Sequence, residues 1–153
     1  MKVLIGVDDS RHSRATLEFV QKMSWPGETR MLVVSALAPE APGFGAYEPA
    51  AAVRAAGMVE GIRELQEELV TRSRKTLTEA GLHADGRVIE GDPREALLEE
   101  ARQESVDLIV VGSHGRTGLE KLLMGSVASH VVAHAPCSVL VVRRRSPGGE
   151  AES

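Results

Sequence analysis

Three glycines, Gly112, Gly115 and Gly118, follow the apolar run Leu108-Ile109-Val110-Val111, and a Gly125-Ser126 pair lies beyond them. These residues suit one chemistry, the holding of an anion. Glycine lets backbone N–H groups approach a charged group with no Cβ in the way, and a helix opening at Gly125-Ser126 adds the partial positive charge of its N-terminus. A second turn of interest follows the first apolar run, at Gly6-Val7-Asp8-Asp9-Ser10, and it carries carboxylates.

For the two turns to cooperate, the chain must bring them together. Apolar periodicity switches repeatedly between strand-like runs and helical stripes, the mark of a parallel sheet covered on both faces. The pattern predicts strands over Lys2 to Val7, Thr29 to Leu37, Ala84 to Ile89, Leu108 to Val111 and Ser138 to Arg143, with helices over Ser13 to Met23, Met58 to Ala80, Pro93 to Glu104 and Gly125 to Ala133. In the second helix Met58, Ile62, Leu65, Leu69, Thr76, Leu77 and Ala80 are expected to form the buried stripe, with Gly81 as C-cap. Asp92-Pro93 reads as an N-cap followed by proline at the first helical position, with Leu97, Leu98 and Ala101 buried behind it. Right-handed crossovers permit the order 3-2-1-4-5, which places strands one and four side by side and their turns across one crevice. The expected fold is a single-domain, open, five-stranded parallel α/β sheet with helices on both faces. It occupies residues 1–145, and residues 146–153 form a flexible tail.

The chain has 153 residues, enough for one domain with a full core, and a net charge of −4 from 18 basic and 22 acidic side chains. Phe19, Trp25, Phe44 and Tyr47 are its only aromatics, so neither a basic footprint nor a base-stacking platform for nucleic acid is visible. The single cysteine, Cys137, excludes an internal disulfide framework and reads as a small hydrophobe at the start of the last strand. No apolar run approaches the roughly 20 residues of a membrane helix. The start reads as a strand rather than a signal peptide, so a cytoplasmic protein without membrane or nucleic-acid partners is expected. Arg143-Arg144-Arg145 reads as the frayed end of the last strand.

The spacing Gly112-x-x-Gly115, nine residues, Gly125-Ser126 is not a P-loop, since no Gly-Lys-Ser or Gly-Lys-Thr occurs, and it is not the dinucleotide fingerprint. It resembles the ATP-binding branch of the universal stress protein family, whose signature is Gly, two residues, Gly, nine residues, Gly, then Ser or Thr. Val7-Asp8-x-Ser10, Gly91-Asp92-Pro93 and Ala135-Pro136-Cys137-Ser138-Val139-Leu140-Val141-Val142 extend the likeness over residues 1–143.

The resemblance implies a Rossmann-like domain binding ATP or another adenine nucleotide, with Mg2+ or Mn2+ held through the phosphates. Asp8 then lies near the ribose or the phosphate-bound cation, flanked by the Gly6 and Val7 backbone, and the Ala36 backbone pairs with the adenine edge. Gly112, Ser113, His114, Gly115, Arg116, Thr117 and Gly118 line ribose and phosphates, and Gly125, Ser126, Val127 and Ala128 supply helix N-terminal N–H groups and a hydroxyl. Hydrogen bonds to charged groups contribute about 1.5–3 kcal/mol each, so a few such N–H contacts hold phosphates without a P-loop lysine. The family also implies a homodimer through the apolar edge strand Val139 to Val142.

With no evident catalytic base or arginine finger, the expected function is a regulatory or signalling module with little or no turnover. The alternatives are a slow ATPase or nucleotidyl-transferring enzyme using Asp8 for the metal, and a phospho-accepting receiver domain, which lacks its lysine after strand five here. The glycine turn read alone is also a plain tight connection. Asp9 reads as a solvated cap residue, and Arg116 as touching either phosphate or solvent. His114 has no adjacent nucleophile to serve as a base, and His130 with His134 lacks the zincin glutamate and a third ligand, which leaves surface or interface histidines. Gly-x-Ser-x-Gly is absent, and Lys22-Met23-Ser24 has no His-x-Gly-His partner to make a synthetase loop. The stretch Ala38 to Gly57 is either a flap near the ligand or a connection whose alanine-rich end joins the second helix.

Overall fold

Alternation along β1 (Lys2–Gly6) sends Val3 and Ile5 to one face of a sheet and Leu4 to the other, and all three are fully buried, so helices must cover both sides. The computed structural model describes residues 1–38, 49–115 and 124–144, and the side chains of all of these but residues 49–52. Within them the chain continues through α1 (Arg11–Lys22), β2 (Arg30–Leu37), α2 (Pro49–Glu79), β3 (His83–Glu90), α3 (Pro93–Gln103), β4 (Leu108–Gly112), α4 (Ser126–His134) and β5 (Ser138–Val142). The five strands form one parallel sheet in the order β3-β2-β1-β4-β5. The central register pairs Ile5 with Val33 on one side and with Val110 on the other.

One core layer packs Val3, Ile5 and Val33 against Val20 of α1 and Val70 and Leu77 of α2. The opposite layer packs Leu4, Leu32, Val34 and Ile109 against Leu97, Leu98 and Ala101 of α3 and Val131 of α4. Full burial of each large aliphatic side chain contributes about 1.5–3 kcal/mol. The α3 stripe is the one the spacing predicts, and its Asp92 side chain accepts from the Arg94 N–H at 2.9 Å, capping the helix just before Pro93.

Helix α2 departs from expectation in two ways. It begins at Pro49 rather than Met58, so the alanine-rich end of the stretch from Ala38 to Gly57 is helical; residues 39–48 lie outside the described residues. Its buried stripe is Gln66, Val70, Ser73 and Leu77, whereas Met58 and Leu65 are 63% and 64% exposed. Polar Gln66 and Ser73 hide that stripe from an apolar count. Gly81, at φ +84°, ends the helix as expected, with the Leu82 N–H reaching back 3.1 Å to the Leu77 carbonyl. Strand β3 alternates between half-buried and exposed residues rather than being doubly covered, as suits a sheet edge. The strand ends otherwise shift by one residue from the expected bounds, β5 stopping at Val142 before Arg143. The proposed tail, 146–153, lies outside the described residues.

Candidate functional site

Strands β1 and β4 are neighbours whose helices leave on opposite faces, α1 packing in the layer of Ile5 and α4 in the layer of Leu4. Their carboxyl ends therefore open into a crevice. A cavity of about 550 Å3 occupies it, within the range of small-molecule sites. Gly6, Val7 and Asp8 form its floor, Gly112, His114 and Gly115 one wall, and Gly125 to Ala128 an end.

The acidic turn is built by α1. Ser10 caps the helix, its Oγ accepting from the Ser13 N–H at 3.1 Å, and the Ser13 hydroxyl in turn accepts from the Asp8 N–H at 3.1 Å. The Ser10 N–H donates to Asp8 Oδ1 at 3.0 Å, which fixes the carboxylate at the cavity floor. Asp9 points away and is exposed, 3.9 Å from Arg14.

The glycines have separate physical reasons. A Cβ on Gly112 would lie 3.2 Å from both His12 Cβ and Thr16 Oγ1, so this glycine lets β4 pack against α1. A Cβ on Gly115 would lie 2.9 Å from Asp8 Oδ2, and one on Gly125 would lie 3.1 Å from both the His114 Cα and the Ser113 carbonyl oxygen. The Gly125 N–H donates to that Ser113 oxygen at 2.6 Å, tying the start of α4 to the end of β4.

The N-cap of helix α4, Gly125, offers no side-chain hydrogen bond, unlike Ser10 for α1 and Asp92 for α3. Its first backbone bond runs from the Ser129 N–H to the Gly125 carbonyl at 2.9 Å, which leaves the N–H groups of Ser126, Val127 and Ala128 outside the helical ladder at the cavity wall. Together with the helix dipole, these groups make an anion-attracting end.

Opposite, β2 runs past the end of β1. The Val7 N–H donates to the Val34 carbonyl at 2.9 Å; Ala36, two residues on, presents its backbone groups on that same side, beyond the last paired residue of β1. Ala36 lines the cavity there.

Ser113 is placed differently from the other candidates. Its side chain is 2% exposed and is not part of the lining; its Oγ lies 3.0 Å from His114 Nδ1 and so positions that ring. The His114 ring also lies 5.1 Å from that of His12. Arg116, Thr117 and Gly118 lie outside the described residues.

Sequence reasoning missed the apolar walls, Ile62 and Leu65 from α2 and Pro93 and Leu97 from α3, and the buried pair Ser35 and Gln66. Leu97 and Leu65 were visible as stripe residues, but nothing in the sequence shows which end of a stripe reaches the crevice.

The remaining candidates sit elsewhere. His130 and His134 stack at 4.3 Å on α4, with His130 Nε2 2.7 Å from Glu95. Among the described residues no cluster of three or more His, Cys, Asp or Glu side chains is arranged to hold a metal ion. Burial pushes the Cys137 thiol above its ordinary pKa, which disfavours the nucleophilic thiolate. Among the described residues no helix is long and apolar enough to cross a membrane.

The profile of the universal stress protein family matches residues 1–143. Universal stress protein A homolog 2 of Coxiella burnetii is 31% identical over 144 residues, covering 93% of this chain and 94% of that protein. Universal stress proteins MJ0531 and MJ0577 of Methanocaldococcus jannaschii are 39% and 31% identical over 54% and 60% of this chain, which spans only 49% and 63% of their lengths. Among solved structures, the universal stress protein UspA from Lactobacillus plantarum superposes with a TM-score of 0.77 at 21% identity, covering 94% of this chain and 97% of that one. An Arabidopsis thaliana family protein with AMP bound gives 0.63 at 18% identity over 99% and 97% of the two chains. The universal stress protein from Archaeoglobus fulgidus in complex with dAMP gives 0.61 at 19% over 92% and 96%. At these identities the structural likeness is one of fold. The profile match, which takes in both turns and every strand, shows that the chain belongs to the universal stress protein family.

Proposed function

We propose that this chain is a nucleotide-binding regulatory module that holds an adenine nucleotide, ATP or a relative of it, in the crevice between β1 and β4. The observation that carries the reading is the closure of the turn after β4 onto the start of α4, where a Cβ on Gly125 would crowd the Ser113 carbonyl and the His114 Cα and three N–H groups of the helix stand at the cavity wall. Phosphates would accept from Ser126, Val127 and Ala128, and the ribose would lie near Asp8. The adenine edge would pair with the Ala36 backbone between the apolar walls of α2 and α3. Relatives of the same fold with AMP or dAMP bound support this choice of ligand.

Asp8 is the one carboxylate among the described residues of the lining. A single carboxylate holds Mg2+ or Mn2+ only in company with phosphate oxygens, so the cation would arrive with the nucleotide. The module would hold its nucleotide with little or no turnover. The domain, residues 1–145, would act in the cytoplasm as a homodimer joined through β5, its affinity for partners changing with occupancy.

Mass spectrometry of the small molecules released when freshly purified protein is denatured tests the reading. An adenine nucleotide in near-stoichiometric amount is expected. A stoichiometric ligand that is not a nucleotide would overturn the proposal.

A further inference from the structure

Gln66 is a polar side chain where an amphipathic helix should be apolar. It lies on the buried face of α2, is only 6% exposed, and forms part of the cavity wall beside Ser35 and Ala36. The Ser35 hydroxyl stands between two oxygens, 3.0 Å from the Val7 carbonyl and against Oε1 of Gln66. A hydroxyl carries one proton, and both of these oxygens only accept. One of the two contacts would therefore set lone pair against lone pair in a buried place, at a cost comparable to an unmade hydrogen bond.

A half-turn of the Gln66 amide about its last torsion exchanges oxygen and nitrogen and resolves the conflict. Nε2 then donates to Ser35 Oγ, and Ser35 donates to the Val7 carbonyl, so each group in the relay is satisfied. The amide oxygen moves to the outer position, where the amide makes no hydrogen bond among the described residues and borders the cavity. The relay is anchored at the residue before Asp8, so the orientation of the amide is set by the same strand that carries the acidic turn.

We infer that Gln66 is a specificity-determining residue, presenting an acceptor oxygen to the exocyclic amine of a 6-aminopurine and turning away 6-oxopurines such as hypoxanthine and guanine. The inference rests on the adenine-nucleotide reading above and adds the side chain that selects the base. The Ala36 backbone offers a donor and an acceptor together and is less selective; a lone acceptor fixed by a buried relay meets an oxo group with repulsion.

The test compares calorimetric titrations with AMP and with IMP, which differ only by amine against oxo at that ring position. Wild-type protein is expected to bind AMP roughly 10- to 100-fold more tightly than IMP. Gln66→Leu, which keeps the volume and removes the acceptor, should weaken AMP about tenfold and bring the two affinities within about threefold of each other. An unchanged preference in Gln66→Leu overturns the inference while leaving the adenine-nucleotide reading intact. A wild-type ratio below about threefold overturns it without any variant, even should Gln66→Leu fail to fold. Failure of the wild-type protein to bind either nucleotide overturns both.

Discussion

A Cβ on Gly115 would lie 2.9 Å from Oδ2 of Asp8: the glycine-rich turn after β4 rests directly on the carboxylate at the end of β1. The two turns thus make one surface, with Asp8 held by the Ser10 N–H from below and confined by the Gly115 backbone from above.

Gly115→Ala should therefore act through Asp8. The added methyl meets a side-chain oxygen that can rotate aside, so the melting temperature is expected to stay within a few degrees of wild type. On the proposed reading the displaced carboxylate would turn from the ribose and cation, and affinity for AMP or ATP should fall roughly tenfold, which is about 1.4 kcal/mol. Calorimetry beside a thermal melt separates the two effects.

The contact between β3 and α2 is tight enough to predict a stability change with no functional counterpart. A Cβ on Gly86 would lie 2.5 Å from Val70 Cγ1 and 3.3 Å from the Val33 carbonyl oxygen. Gly86→Ala should destabilise the fold by about 1–3 kcal/mol through overpacking. Adding Val70→Ala should restore part of that loss, because the two side chains compete for one space and their effects do not add. Urea unfolding of the two single variants and the double variant measures the coupling.

Asp92 gives a pH dependence with a definite sign. The Arg94 guanidinium and backbone N–H, bonded to its carboxylate, hold its pKa down to about 2 from an ordinary 3.8. A carboxyl whose pKa is depressed on folding contributes its stability above the unfolded value and loses it as pH falls through the folded one. Asp92→Asn keeps an oxygen to cap α3 but has nothing to titrate. Wild-type protein should therefore lose stability relative to Asp92→Asn between about pH 4 and pH 2, with the two parallel above that window. The effect is small, because Asp92 and Arg94 are about half exposed to screening solvent.

Dimerisation through β5 can be tested without disturbing the sheet behind it. The Val142 carbonyl accepts from the Ser113 N–H, toward β4, so the backbone groups of Val141 point to the open edge. Light scattering should give a mass twice the 16.4 kDa of the chain. Val141→Pro, which removes one edge donor, should return it toward the monomer. A wild-type monomer at micromolar concentration would contradict the dimer.

Four of the five strands are legible in the sequence as Val, Ile and Leu runs, β3 being the exception, and the turn from β3 into α3 announces itself through Asp92-Pro93, whereas α1 is capped by Ser10 rather than by the expected Asp9. Strand order follows from handedness and from two turns that need a common crevice. What is not legible has a physical reason. Residues Val53 to Glu60 of α2 have every described side chain exposed, so they carry no periodicity from which to extend the helix. The buried face of α2 is half polar, which turned the expected stripe toward Met58 and Leu65. Gln66 is invisible for the same reason: a glutamine among glutamates reads as solvated surface until the fold sets it against Ser35. Of the candidate site, the residues tied to glycine spacing could be found from sequence, while Leu97, Ile62 and Gln66 come from elements whose ends meet only in the folded sheet.

Titration of nucleotide-free protein with ATP and AMP, with and without Mg2+, in wild type and Gly125→Val, probes nucleotide holding at the closure of β4 onto α4. The valine would press on the Ser113 carbonyl and the His114 Cα, backbone atoms that cannot swing aside, and would break the closure of β4 onto α4. Saturable one-to-one binding in the wild type, lost by about 100-fold or more in a Gly125→Val protein that still melts cooperatively, is the expected result. The absence of binding of either nucleotide to the wild type, or undiminished binding in Gly125→Val, would contradict it.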